Sequence, residues 1–261
     1  SPIFDALNTT WVGHTAMEVF FLVSGLLFII PILSIGPLPR RQSNIGRLLD
    51  IDEGAIEIAG YDVASTKSKD LAKIVSILRQ ENHFITRLTV RQLVGFGRFP
   101  HSQGRLTVQD EEVISRSIDF LDLTALEGRY LDQLSGGQRQ RAYVAMVLAQ
   151  DTDYVLLDEP LNNLDMQHSV HMMRHLRRAA TELGRTIIVV LHDINFAGHY
   201  ADRICAVKDG RVVEFGPPEQ IMTDEVLTRV FDTAVQVVDG PRGPLAVTRT
   251  PRGRLRRAGR A

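Results

Sequence analysis

The chain has 261 residues, of which 44% are hydrophobic, enough to bury the core of one large or two small domains. Its formal net charge is −1, so the chain lacks the overall positive charge that is typical of many nucleic-acid-binding proteins. The single cysteine, Cys205, excludes an internal disulfide, and its apolar neighbours predict a small buried residue rather than a reactive thiol.

The first forty residues are unusually apolar, and residues 19–39 contain no charged side chain. Such a run is long enough to span a bilayer, and Arg40 and Arg41 follow it, as on the cytoplasmic side of a membrane segment. The alternative is a pair of buried strands around Ser24 and Gly25, against which Pro31 argues because proline lacks a backbone N–H. Both interpretations stay open for an atypical N-terminal segment of residues 1–35. No basic region precedes the run, so it is not expected to be a cleavable signal peptide.

The next part of the chain predicts strands followed by a long helical segment. Residues 55–59 and 71–78 have strand patterns, and Gln80 stands just past the second strand. From residue 81 to about residue 150 the periodicity is helical. Thr89 is a predicted N-cap, and Thr107 opens a second helix in a capping box with Asp110.

A glycine pair marks the start of the last helix of this segment. Ser135 is a predicted N-cap, and residues 136–148 have helical character. Gly136 and Gly137 lack β-carbons, so a phosphate can approach the backbone N–H groups and the positive end of the helix dipole. An ordinary helix start with glycines is the alternative at this point.

Two adjacent carboxylates follow the apolar residues 154–157, which have the pattern of a strand buried on both faces. Asp158 and Glu159 should point in opposite directions, because side chains alternate along a strand. One of them can hold Mg²⁺ while the other faces a water molecule. A solvated acidic turn before Pro160 is the alternative.

The helix predicted over residues 166–183 ends at Gly184. Val170, Met173, Leu176 and Leu183 form its predicted apolar stripe. A second face carries His168, His171 and His175 at a spacing that would suit a metal ion, but no carboxylate or cysteine completes such a site. The sequence therefore predicts that the three histidines lie on a solvated face.

Another apolar strand is predicted over residues 186–191, and His192 follows it. An imidazole at the carboxyl end of a strand can form a hydrogen bond with a phosphate or with an attacking water. A histidine that caps local structure is the alternative. Further on, Asp209 and Gly210 predict a hairpin turn, and residues 217–226 predict a short helix.

In this order and spacing, residues 134–138 and 154–159 resemble the signature sequence and the Walker B strand of the ATP-binding-cassette (ABC) ATPases. Gln80 resembles the glutamine of their Q-loop, residues 161–165 resemble their D-loop, and His192 resembles their switch histidine. Three stretches, residues 76–83, 93–100 and 238–244, are similar to the ATP-binding subunits of ferric-siderophore importers.

The resemblance implies an α/β fold, with a RecA-like P-loop NTPase core of ABC type over residues 36–248. It implies a helical subdomain at about 81–150, followed by a basic tail, residues 249–261. A homodimer would sandwich ATP between two subunits. The residues implied to bind nucleotide are Gly36, Ser43, Ser135, Gly136, Gly137, Gln138 and Asp165.

The resemblance also implies catalytic roles and partners. Glu159 would polarise the attacking water, and His192 would steady the γ-phosphate. The residues implied to attend Mg²⁺ are Asp158, Gln80 and Ser43. Integral membrane permease subunits would be the direct partners, with a periplasmic or surface siderophore-binding protein acting indirectly and no nucleic acid involved. The chain would then lie at the cytoplasmic face of the cell membrane as a peripheral subunit.

The phosphate loop departs from the family pattern, since no segment fits G-x-x-x-x-G-K-[ST]. The candidate in the expected place is residues 36–43, which keeps Gly36 and Ser43. Arg41 stands where the second glycine belongs, and Gln42 stands where the lysine that neutralises phosphate charge belongs. A cassette that docks on a permease without hydrolysing ATP is therefore the alternative function. A third interpretation, an ABC protein acting on nucleic acid, is disfavoured by the neutral charge balance.

Overall fold

The computed structural model describes residues 26–32, 56–79, 87–241 and 243–248 of the chain. The described residues divide into two compact units. The first unit comprises residues 56–79 and 87–188, and the second comprises residues 26–32 and 189–248 apart from residue 242.

The strands and helices are numbered here in chain order. They are β1 (Leu26–Ile32), β2 (Glu57–Ile58), β3 (Tyr61–Asp62), α1 (Ser68–Leu71), β4 (Val75–Leu78), α2 (Val90–Phe96), α3 (Phe99–Ser102), α4 (Val108–Phe120), α5 (Gly136–Ala149), β5 (Tyr154–Asp158), α6 (Met166–Glu182), β6 (Thr186–Val190), α7 (Ile194–Tyr200), β7 (Arg203–Lys208), β8 (Arg211–Gly216), α8 (Pro218–Ile221), α9 (Asp224–Phe231), β9 (Val235–Gly240) and β10 (Gly243–Thr248). Two short 3₁₀ helices, Thr124–Leu126 and Leu131–Gln133, precede α5.

In the first unit, β4 and β5 are neighbours in a sheet, and β6, which begins in this unit, follows β5 in the strand order. β4 pairs with β5 in parallel, in a register that runs from Val75 opposite Tyr154 to Leu78 opposite Leu157. The central residues of β5 are almost completely buried, as the apolar run predicts. Parallel strands end at the same edge of a sheet. The end of β4 and the carboxylates at the end of β5 therefore lie at the same edge of this sheet.

A small hairpin, β2 and β3, precedes this sheet. The turn lies at Ala59 and Gly60, which both have positive φ, and Tyr61 and Asp62 pair with β2. A positive φ at two consecutive residues is what a tight hairpin requires.

The helical segment of the first unit matches the predicted pattern closely. Thr89 and Thr107 form capping boxes with Gln92 and Asp110, at the start of α2 and α4. The end of α2 then lies directly against α5, because a β-carbon at Gly97 would sit 2.0 Å from the backbone oxygen of Met146. This close approach needs glycine at residue 97.

In α6, the predicted apolar stripe and the predicted solvated histidine face are each wrong at one residue. Met173 and Leu176 are buried as expected, but Leu183 is 43% exposed because the helix already ends at Glu182. The predicted solvated face also fails at His175, which is only 5% exposed. Its ring packs beside Phe120, and its Nε2 lies 3.3 Å from Asp122 Oδ2. The end of α4 therefore covers this part of the histidine face.

In the second unit, β1 pairs in parallel with β7. Pro31 lies within β1 opposite Val207, so the prediction that this proline argues against a strand is wrong. A strand directs successive N–H groups to opposite sides, and one proline removes a single donor from one side. The seven residues of β1 therefore follow the strand interpretation rather than a membrane helix. Among the described residues, no helix is both long and apolar enough to cross a membrane.

The rest of the second unit is built from two antiparallel hairpins with helices between them. β7 and β8 pair around Asp209 and Gly210, which have positive φ, and the predicted hairpin is confirmed. β9 and β10 form the second hairpin. Asn195 at the start of α7 holds it, because its side-chain amide bonds to both the N–H and the C=O of Ala246.

Candidate nucleotide site

The first component of the site is the start of α5. Ser135 caps the helix by accepting a hydrogen bond from the backbone N–H of Gln138, and the Gln138 side chain accepts one from the N–H of Ser135. A β-carbon at Gly136 would meet no atom within 4 Å, so the first turn is open to a ligand. The predicted cap and helix are confirmed, and the arrangement presents helix N–H groups to an anion.

The second component is the acidic end of β5. Asp158 is the last residue of the strand and is 2% exposed, whereas Glu159 is half-buried. Glu159 has a φ of 49°, in the left-handed region that costs a non-glycine residue roughly 1–2 kcal/mol. The chain therefore leaves the strand at Glu159, directly after Asp158.

A turn holds the Glu159 side chain in place. Asn162 donates its backbone N–H to the Glu159 carbonyl and its side-chain Nδ2 to Glu159 Oε2, at 3.0 and 3.3 Å. Asn162 lies in the stretch identified as the D-loop. The motifs in the sequence give Asn162 no role of its own, although its spacing of three residues from Glu159 is typical of a turn.

Asp165, at the end of the same stretch, is the N-cap of α6. Its Oδ1 accepts hydrogen bonds from both the backbone N–H and the Nδ1 of His168, each at 2.8 Å. The His168 ring in turn lies against Gly137 of α5, where a β-carbon would be 1.7 Å from His168 Cδ2. The structure thus links Asp165 to Gly137 through His168, whereas the sequence predicted the two only as parts of separate motifs.

His192 belongs to the second unit. It lies two residues beyond β6, is exposed, and immediately precedes Asp193, the N-cap of α7. The predicted strand ends at Val190 rather than at residue 191. Gly36, Ser43 and Gln80 lie outside the described residues, so their assigned roles stay predictions.

The described residues fit the chemistry of ATP and Mg²⁺. A carboxylate oxygen at Asp158 is a hard ligand of the kind that Mg²⁺ accepts, and Mg²⁺ is usually held by one or two carboxylates together with phosphate oxygens. The open, capped start of α5 suits a phosphate. The histidines of α6 do not suggest a second metal, because no group of three histidine, cysteine or acidic side chains in the described part of the chain is placed to hold one.

The fold and these elements define the class of protein. Residues 43–162 match the ABC transporter family. The chain belongs to this family, among its ATP-binding subunits, and the predicted α/β fold with a RecA-like core is confirmed.

Particular relatives give a finer comparison. The chain is 68% identical over 203 residues to the petrobactin import ATP-binding protein FatE of Bacillus anthracis, across 78% of this chain and 81% of FatE. It is 52% identical over 214 residues to the petrobactin import ATP-binding protein YclP of Bacillus subtilis, across 80% and 85% of the two chains. Among solved structures, it is similar in fold to an ABC transporter in an inward-facing conformation, with a TM-score of 0.71, 23% identity and 89% coverage of both chains.

A second family matches the N-terminal segment. Residues 1–51 match the family described as cytochrome c oxidase caa3 assembly factor, and this match overlaps the ABC transporter match at residues 43–51. The overlap begins at Ser43, the last residue of the candidate phosphate loop. The sequence therefore departs from the ABC pattern in the segment that this other family matches.

Proposed function

We propose that the chain energises the import of ferric siderophores of the petrobactin class by hydrolysing ATP. The observation that carries the proposal is the pairing of a capped, glycine-tipped helix, α5, with an acid-tipped strand, β5, in one unit. The two relatives described above are both named as petrobactin import ATP-binding proteins, which supports the substrate class.

In this proposal the carboxylates of β5 have different tasks. The buried Asp158 would hold Mg²⁺, together with Gln80 and Ser43. Glu159 would orient and polarise the attacking water, and its bond from Asn162 would keep its carboxylate at the mouth of the site. The exposed imidazole of His192 would contact the γ-phosphate.

Two copies of the chain would act together. The open first turn of α5 in one copy would face the loop of residues 36–43 in the other, with ATP between them. Asp165 at the start of α6 would lie next to the same interface. The dimer would dock on integral membrane permease subunits at the cytoplasmic face of the membrane, and a siderophore-binding protein would deliver the iron complex. The proposed domain boundaries are residues 1–35, 36–248 and 249–261.

Hydrolysis of Mg-ATP by the purified chain tests the reaction. We expect Glu159→Gln to lower the rate at least tenfold, because the carboxylate that polarises the water is lost. Glu182→Gln is the matched control, since Glu182 is an exposed acid of α6 that pairs with Arg178, and it should keep the full rate.

The same experiment can refute the proposal. If the unmodified chain neither binds nor hydrolyses ATP, the cassette acts without nucleotide and only docks on a permease. If it hydrolyses ATP but Glu159→Gln is as active as Glu182→Gln, the assignment of Glu159 is wrong. Uptake of petrobactin-bound iron by Bacillus subtilis cells in which this chain replaces YclP tests the substrate class separately.

A further inference from the structure

His168 joins two parts of the proposed site that lie far apart in the sequence. One edge of its ring faces Asp165, whose carboxylate can only accept hydrogen bonds, so Nδ1 carries the proton in the 2.8 Å bond to Oδ1. The pKa of the Asp165 carboxyl is held below its ordinary value by two hydrogen bonds from His168. The bond from the His168 backbone N–H has the larger effect, and the bond from the ring has the smaller one. The ring orientation is therefore set by a charged partner.

The other side of the ring rests on the backbone of Gly137. A β-carbon at that residue would lie 1.7 Å from Cδ2, 2.6 Å from Cγ and 2.7 Å from Nε2. These three atoms belong to the ring, so a side chain at residue 137 could be accommodated only if the ring swung away. That movement would break the bond to Asp165.

The neighbouring Gly136 shows that this contact is specific to one glycine. A β-carbon at Gly136 would meet nothing within 4 Å, so Gly136 leaves space for a ligand, whereas Gly137 leaves space for His168. The two adjacent glycines, which look alike in the sequence, thus have different surroundings.

We propose that His168 is a positioning residue that fixes the start of α5 against Asp165, so that both reach the nucleotide interface in register. The inference rests on the proposed function, because it concerns how one subunit presents these two elements to its partner. His168 itself does not contact the nucleotide in this account. It acts through Gly137 and Asp165.

A double-mutant cycle in thermal unfolding tests the contact. We expect Gly137→Ala to lower Tm by about 3 °C, because the new methyl group displaces the ring. In a His168→Ala background the same change should leave Tm unchanged or raise it, since the ring is gone and alanine favours a helix. If Gly137→Ala changed Tm equally in both backgrounds, the contact between His168 and Gly137 would be disproved.

Dimerisation driven by Mg-ATP tests the positioning role, in variants that carry Glu159→Gln so that ATP persists. Sedimentation gives the dissociation constant of the dimer. We expect His168→Ala to raise this dissociation constant about tenfold, because one charge-assisted hydrogen bond is lost. The dissociation constant of His168→Asn should stay within about threefold of the parent value, because Asn Nδ2 occupies the place of the ring Nδ1 and keeps the hydrogen bond to Asp165. His171→Ala, an exposed histidine of the same helix, is the control and should change nothing.

The outcomes separate the inference from the proposed function. If Glu159→Gln alone does not dimerise with Mg-ATP, the proposed function fails. If it dimerises and the added His168→Ala leaves the dissociation constant unchanged, only the role of His168 fails. If His168→Asn is as weak as His168→Ala although both keep the Tm of the parent, the bond to Asp165 is not what positions the helix.

Discussion

Arg98 Nε lies 2.8 Å from Asp110 Oδ1, and the two side chains are only 7% and 5% exposed. The same guanidinium donates to the backbone oxygen of Ala149 at the end of α5. Asp110 also receives the backbone N–H and hydroxyl of Thr107. One buried ion pair therefore connects the start of α3, the start of α4 and the end of α5. The other end of α5 forms the proposed anion site.

Asp110→Asn should destabilise the chain by about 3 kcal/mol, because it leaves the buried Arg98 charge without its counter-ion. Urea unfolding measures this loss. Glu182→Gln, which breaks the exposed pair with Arg178, is the control and should cost less than about 0.5 kcal/mol. Similar losses in the two variants would show that the buried pair contributes little.

In the unmodified chain, the contribution of Asp110 to the free energy of unfolding should be lost as pH falls. The hydrogen bond from Thr107 and the interaction with Arg98 outweigh the effect of burial and lower the pKa of Asp110 to about 2. The folded-state pKa is thus below that of the unfolded chain, near 3.8. The contribution, about 2 kcal/mol, is present above pH 4 and disappears as pH falls towards 2. Asp110→Asn should unfold with a smaller dependence on pH in this window.

Gly97→Ala should destabilise the chain by more than about 2 kcal/mol, because its β-carbon would overlap the backbone oxygen of Met146 and force α2 away from α5. Gly95→Ala, within α2, is the matched change. Its β-carbon would meet Ile114 and Leu106 at ordinary contact distances of 3.7 and 3.8 Å. It should therefore be neutral or stabilising by up to about 1 kcal/mol in chemical denaturation.

His175 should make the chain less stable below neutral pH. Burial lowers the pKa of this imidazole, and Arg141, Arg178 and His171 act in the same direction, whereas Asp122 opposes them. The unfolded chain therefore takes up a proton near pH 6.5 that the folded chain resists. Stability is greatest above that pH and declines as pH falls below it, with a slope of at most about 1.4 kcal/mol per pH unit.

His175→Gln should remove this dependence, since an amide of similar size does not titrate. Tm measured between pH 7 and pH 5 reports the effect. His171→Gln, on the exposed face of α6, should keep the dependence of the unmodified chain. A curve for His175→Gln that is parallel to the parent curve would contradict the prediction.

An activity prediction concerns the candidate phosphate loop, residues 36–43. Gln42→Lys restores the cation that the family pattern places there, but Arg41 still occupies the second glycine position and two prolines still lack N–H groups. We expect this single change to leave ATP hydrolysis below that of an ABC cassette whose loop fits G-x-x-x-x-G-K-[ST], measured side by side. Full recovery of the rate would refute the prediction.

The elements predicted most accurately are those whose signals are local. Ser135, Thr89 and Thr107 cap helices as expected because a cap depends on residues three positions apart, and the Asp209–Gly210 turn depends on two residues alone. The apolar strands β5 and β6 are equally clear, since β6 is buried along its whole length and β5 is buried from Val155 onward.

The parts that were missed depend on contacts distant in sequence. Helical periodicity places His175 on a polar face, and the approach of Phe120 at the end of α4, and of Asp122 just after it, buries it. The contact between His168 and Gly137 joins two helices and has no counterpart in either local pattern. The left-handed backbone at Glu159 is likewise invisible, because glutamate seldom adopts it unless the surrounding structure imposes it.

Cys205 lies half-buried within β7, so the prediction of a buried cysteine holds only in part. Partial removal from water raises the pKa of its thiol to about 11. At pH 8 the folded chain then holds on the order of 10² times less thiolate than an unfolded chain, whose thiol titrates near 8.5. Because this is the sole cysteine of the chain, a thiol-alkylating reagent reacts at one known place, and at pH 8 it should label the folded chain more slowly than the chain unfolded in urea. The protein therefore carries a single-site chemical probe of its own unfolding around β7, and no probe has to be engineered into it.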